Sequence, residues 1–147
     1  MKKGIVKDAK GVFELPVQYM VAIVIAAIAV GLLSFAGYHL WRDIQTDKAI
    51  REVDRIVSEA TSMCATADEG TVQTIKVDFP AGMKKAGFGS SDPRNANRYY
   101  IHMDWGENRS YYAKNVNFSL GALHEGIERV QLELKEEGGK HVEIRAA

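Results

Sequence analysis

An α+β fold, with one long N-terminal membrane-spanning helix followed by a small antiparallel β-rich sheet or sandwich, is predicted by three features of this 147-residue sequence. From Leu15 to Trp41 the chain carries no Asp, Glu, Lys or Arg. From Arg42 it becomes charged but contains no Gly or Pro before Gly70, so nothing stops a helix where the apolar run ends. Beyond Gly70 the apolar period changes to two, the pattern of strands with one dry face.

The apolar run is 27 residues long. At about 1.5 Å per residue it makes a helix of roughly 40 Å, enough to cross a hydrocarbon core of about 30 Å. A soluble domain of this size seldom buries a helix that is apolar all round, so the run is expected to span a membrane. It also exceeds the apolar region of a secretory signal, about 7 to 15 residues, and is expected to stay attached. In its charged continuation Ile50, Val53, Val57, Ala60 and Cys64 recur at helical spacing, while Arg51, Glu52, Arg55 and Glu59 lie mostly elsewhere on the circumference. That stripe calls for a surface to lie on. Pro16 suits the first turn of the helix, where its missing N–H is harmless.

Three segments alternate clearly. Ile75, Val77 and Phe79 form one series, Tyr99, Ile101, Met103 and Trp105 a second, and Val130, Leu132 and Leu134 a third. Trp105–Arg109 reads as a hairpin loop leading into Tyr112, Val116 and Phe118, and Glu136–Lys140 as another leading into Val142 and Ile144. A weaker strand is expected near Ala86–Phe88, and the Gly-, Ser- and Asn-rich stretch from Gly87 to Asn97 reads as a surface loop. About six strands result, paired antiparallel, with an open face for the helix stripe to cover. The expected organisation is a basic leader over residues 1–11, a transmembrane helix continuing into an amphipathic one over 12–66, and an extracytoplasmic β-rich domain over 70–147.

Charge and composition remove several function classes. From Arg42 onward there are 15 basic against 17 acidic residues, which argues against a nucleic-acid partner. Cys64 is the only cysteine, so no intrachain disulfide can form and no zinc site of the usual spacing is present. His102 with Asp104 and His141 with Glu143 fall on the wet faces of strands, where solvated alternation accounts for them without a metal. Gly87-Phe88-Gly89-Ser90-Ser91 lacks the strand-to-helix setting of a phosphate loop. No nucleophile elbow or other catalytic constellation occurs. Neither enzymatic activity nor a cofactor is expected.

Orientation follows from the flanks. Lys2, Lys3, Lys7 and Lys10 precede the span, against Arg42, Lys48 and Arg51 just after it, a small bias toward a cytoplasmic N-terminus. The tail ends Ala9-Lys10-Gly11, followed by Val12-Phe13-Glu14-Leu15-Pro16 and the apolar helix. This arrangement resembles the class III signal peptide of archaeal type IV pilin-like proteins. The resemblance implies that a prepilin peptidase cuts between Gly11 and Val12, with Lys10 as the preceding basic residue. It further implies a single-pass protein of the cell membrane whose domain faces outside, with like or related pilin subunits and the lipid bilayer as partners. Family members often carry Glu at the fifth mature position, whereas this cut places Glu14 third and Pro16 fifth. An unpaired carboxylate in lipid costs several kcal/mol, so Glu14 either pairs with a cation such as a freed Val12 amine or sits among headgroups near Lys10.

Ala27, Gly31 and Ser34 share one helical face and would admit a close neighbouring helix, as assembly requires. Asn108-Arg-Ser110 and Asn117-Phe-Ser119 are glycosylation acceptor patterns, with Asn108 in the expected hairpin tip. Two functions fit these features: a pilin-like structural subunit of a surface assembly, or a solitary membrane-anchored β domain that binds a partner or ligand.

Overall fold

A computed structural model describes residues 5–147, with side chains described from residue 16 onward. One helix, α1, runs from Ile5 to Thr66, and seven strands follow it. The chain divides into two compact units, residues 1–42 and 43–147, with the division falling inside α1.

Within the first unit the helix is apolar and bare. Its segment from Pro16 contains an 18-residue window of mean hydropathy 2.5, none of it buried. Val17, Ile23, Leu33 and Phe35 are all exposed. The helix is therefore long and apolar enough to cross a membrane. Pro16 lies inside the helix rather than in its first turn, because the helix already includes Ile5–Leu15. At the other end Tyr38 stacks on Trp41 with ring centres 6.2 Å apart, and the Arg42 guanidinium lies 5.7 Å from the Tyr38 ring centre. Aromatic and basic residues in this position suit the boundary between hydrocarbon and water.

The second unit opens with the charged turns of α1. Thr46, Ala49, Val53, Ile56, Ala60 and Met63 are buried. Their spacing alternates three and four residues, an apolar seam that stays on one side of the helix. Ile50 and Cys64, members of the expected stripe, are only half-buried at its margin. The expected stripe was thus rotated slightly away from the true centre. It took Ile50 and Cys64 and passed over Thr46, Ala49, Ile56 and Met63, which are the buried positions on either side of Val53 and Ala60.

Strands β1 (Val72–Lys76), β6 (Arg129–Lys135) and β7 (His141–Ala146) form a sheet in the order β1-β6-β7. Strands β4 (Asn108–Tyr112), β3 (Arg98–Met103), β2 (Met83–Phe88) and β5 (Gly121–Leu123) form a second in the order β4-β3-β2-β5. Every strand pairing within both sheets is antiparallel. The two sheets join where the 117–119 segment pairs with Val142: the Ser119 N–H donates to the Val142 carbonyl and the Val142 N–H to the Asn117 carbonyl. Both sheets turn their apolar faces into one core with the helix seam, through Val130, Leu132 and Leu134 from one and Ala86, Phe88 and Ile101 from the other.

Three local expectations are corrected. The β4 strand ends at Tyr112, so Val116 and Phe118 lie beyond it; they are buried all the same, and Phe118 bridges to Val142. Gly87 and Phe88 belong to β2, so the surface loop begins only at Gly89. A seventh strand, β5, went unforeseen because its three residues Gly-Ala-Leu are too short to show alternation. The β3–β4 connection tightens to Asp104–Gly106, closed by the Met103 N–H donating to the Glu107 carbonyl, with Gly106 at φ 88° in the left-handed region that a three-residue hairpin loop demands.

Candidate functional site

Lys10, Gly11, Val12 and Glu14 fall in a stretch whose side chains lie outside the described residues. The remaining assembly residues, Ala27, Gly31 and Ser34, are exposed on the apolar helix. A Cβ built on Gly31 meets nothing within 4 Å. A bare face of small residues on an apolar helix is a surface that another helix can approach closely.

How firmly the β unit is tied to its own helical turns bears on whether force can pass between them. Polar joints run along this part of α1, the last of them from Gln73 Nε2, which donates to Glu59 Oε2 at 3.2 Å. The Thr46 hydroxyl donates to Glu107 Oε2 at 3.0 Å, Lys48 pairs with Asp78 at 2.8 Å, and the Tyr99 hydroxyl donates to Asp54 at 2.9 Å. Arg55 binds Glu52 and the Lys76 carbonyl, while Glu52 accepts the Asp78 N–H at 3.2 Å. The joints reach both sheets, so the helix cannot pivot on one of them alone.

Glu107 is the most engaged of these groups. Besides Thr46 it accepts from Trp105 Nε1 at 3.3 Å and from Arg109 Nε at 2.9 Å. Burial pushes the Glu107 carboxyl up, but hydrogen bonds from Arg109, Trp105 and Thr46 outweigh it and hold the group below its ordinary value. Tyr99 moves the other way: burial first, then its hydrogen bond to Asp54, pushes the phenol up to about 12. Burial likewise raises the Cys64 thiol, in keeping with a packing role rather than a reactive one.

The outward faces of the two sheets differ in kind. On β6 and β7, Lys135 pairs with Glu133 and Glu143, and Arg145 lies 2.8 Å from Glu133 and 2.9 Å from Glu143. The Lys135 hydrogen bond is the leading cause that holds the Glu143 carboxyl low. This face neutralises itself. On the other sheet, Lys84, Lys85, Tyr100, His102 and His124 line a shallow groove of about 410 Å³.

His102 and His141, read from the sequence as wet-face residues, lie on different sheets. His141 Nδ1 lies 2.7 Å from the Gly139 carbonyl while Glu143 belongs to the ion-pair ladder, and among the described residues no group of three or more His, Cys, Asp or Glu could hold a metal ion. Asn108 and Asn117 are both exposed, but Asn108 opens β4 opposite His102 instead of capping the hairpin, because the loop closes earlier at Gly106. What sequence reasoning missed was the Glu107 joint and the cationic groove. The first needs the helix and a distant hairpin side by side; the second needs the strand register. Compared with known proteins, the chain matches no family model, no curated protein and no solved structure.

Proposed function

We propose that the chain is a pilin-like, membrane-anchored cell-surface subunit, structural in a filament or related surface assembly, with its N-terminus cytoplasmic and its β unit outside. The observation that carries this reading is the exposed apolar helix of the first unit, which continues without a break into turns that form part of the β unit's core. A helix so constructed can leave lipid and pack against copies of itself with no change in the fold of the head. Processing between Gly11 and Val12 also brings Pro16 to the fifth mature position, about one turn from the helix start, where a missing backbone bond costs less than in an interior.

N-terminal sequencing of the protein from its native membrane tests the reading. The mature chain should begin at Val12, Gly11→Asp should retain the leader, and shear fractions should contain filaments built from the processed form. A mature chain that still begins at Met1 would remove the support for pilin-like maturation. Correct processing with all protein left monomeric in the membrane would favour the solitary anchored domain.

A further inference from the structure

We propose that the outer face of the β4-β3-β2-β5 sheet docks an acidic polysaccharide, a hydroxyl-rich sugar polymer bearing carboxylate or sulfate groups. Strand register brings the necessary side chains together: Lys85 stands opposite His102, Gly87 opposite Tyr100, and Tyr100 opposite Ser110. None of the positions that β2, β3, β4 and β5 contribute to this face is Asp or Glu. Gly87 is buried because the Tyr100 ring lies across it, where a Cβ would collide with the ring. The ring in turn gathers charge. Lys85 Nζ lies 5.8 Å and Arg98 Cζ 5.5 Å from its centre.

These cations are not neutralised from within. Among the described residues no carboxylate pairs with Lys84, Lys85 or Arg98; Arg98 spends one donor on the Ser110 hydroxyl at 2.9 Å, and its enclosed Nε has no acceptor. The opposite sheet shows that the chain builds compensated ladders where a face is merely solvated, with Lys135 and Arg145 locked to Glu133 and Glu143. An uncompensated cationic face on an otherwise acidic unit is complementary to an anion.

The groove lining selects among anionic partners. Its lining is one aromatic ring, two lysines and two imidazoles around a shallow opening, which is not the closed, well-packed pocket that a peptide's buried anchor fills. Two lysines and one arginine are few for a nucleic-acid backbone, which carries a charge at every unit. An acidic polysaccharide spaces its charges between neutral rings. Its C–H faces suit an aromatic ring, and its hydroxyls suit the Ser110 hydroxyl, the Asn108 amide and the imidazoles. The outward orientation proposed above determines only where such a polymer is met; the binding chemistry belongs to the sheet.

The test uses full-length protein in detergent micelles and measures retention of alginate, a polyuronate, against neutral dextran, polyglutamate and a single-stranded DNA oligomer. Alginate should bind, dextran should not, and affinity should fall as salt rises. Lys85→Glu should weaken binding about tenfold or more, and Lys85→Gln by a smaller factor with an unchanged near-UV spectrum. Lys140→Glu makes the same charge change on the exposed β6–β7 hairpin and should leave binding as in the parent. Absence of alginate binding by the folded parent overturns the proposal, as does an equal loss in Lys140→Glu. Tighter binding of polyglutamate or of DNA overturns it in favour of an acidic-peptide or nucleic-acid surface. Filament yield is scored in parallel: binding without filaments sinks the assembly reading alone, and filaments without binding sink this one alone.

Discussion

Glu107 shows how one carboxylate can hold a helix to a hairpin 61 residues away. Its side chain is 27% exposed, enough removed from water for its hydrogen bonds to count. Glu107→Ala strips the Thr46 hydroxyl, which is fully buried, of its acceptor and should cost about 1–3 kcal/mol in chemical denaturation. The pH dependence has a definite sign. Because the folded carboxyl titrates below its ordinary value of 4.5, its contribution is complete above that pH and is lost as pH falls through the folded value. The stability gap between parent and Glu107→Gln should therefore narrow below about pH 4.5. Tyr99 supplies the alkaline counterpart. A phenol raised from 10.0 to about 12 stabilises the fold below pH 10 and loses that contribution as pH rises through the folded value. Absorbance titration should show one of the six tyrosines ionising near pH 12, and Asp54→Asn should bring that step down.

At the scale of elements the helix seam makes a sharper claim than helical periodicity alone. Ile56 is fully buried, whereas Ile50 lies at the margin of the core. Ile56→Ala should cost about 2–5 kcal/mol, because the seam packs against two sheets and cannot easily collapse around a cavity. Ile50→Ala should cost less, and equal losses in denaturant melts would place the centre of the buried face elsewhere. The comparison also marks what periodicity can tell. The strands with strict alternation, Tyr99–Met103 and Val130–Leu134, were legible because each exposes one wet residue between dry ones. β2 was faint, since Ala86, Gly87 and Phe88 are all buried and Gly87 is hidden only by a side chain from another strand. β5 was invisible, being a short strand whose place depends on β2 on one side and on the neighbouring sheet on the other. The cationic groove fell in the same blind spot: Lys85, Tyr100 and His102 are ordinary wet-face residues until register makes them neighbours.

For the whole molecule, the choice between a filament subunit and a solitary anchor turns on what the bare helix touches. Every described residue from Pro16 to Trp41 is exposed, so the chain alone leaves this surface to lipid or to other copies. Lipid places no demand on residue size, since leucine inserts as readily as any side chain and more readily than glycine. A packed helix does, because close approach depends on small residues at the point of contact. Gly31 separates the two cases: it has open space around its Cβ position and sits among exposed Val30, Leu32 and Leu33, so Gly31→Leu adds an apolar side chain without disturbing a contact inside the chain. The variant should reach the membrane at the parent's level and keep the melting behaviour of the β unit. If copies meet along the Ala27, Gly31 and Ser34 face, crosslinked oligomers and sheared filaments should fall severalfold at that unchanged membrane level. Undiminished oligomers would move the contact to another face of the helix, and a parent that yields no oligomers under the same crosslinking would leave lipid as the sole occupant of this surface.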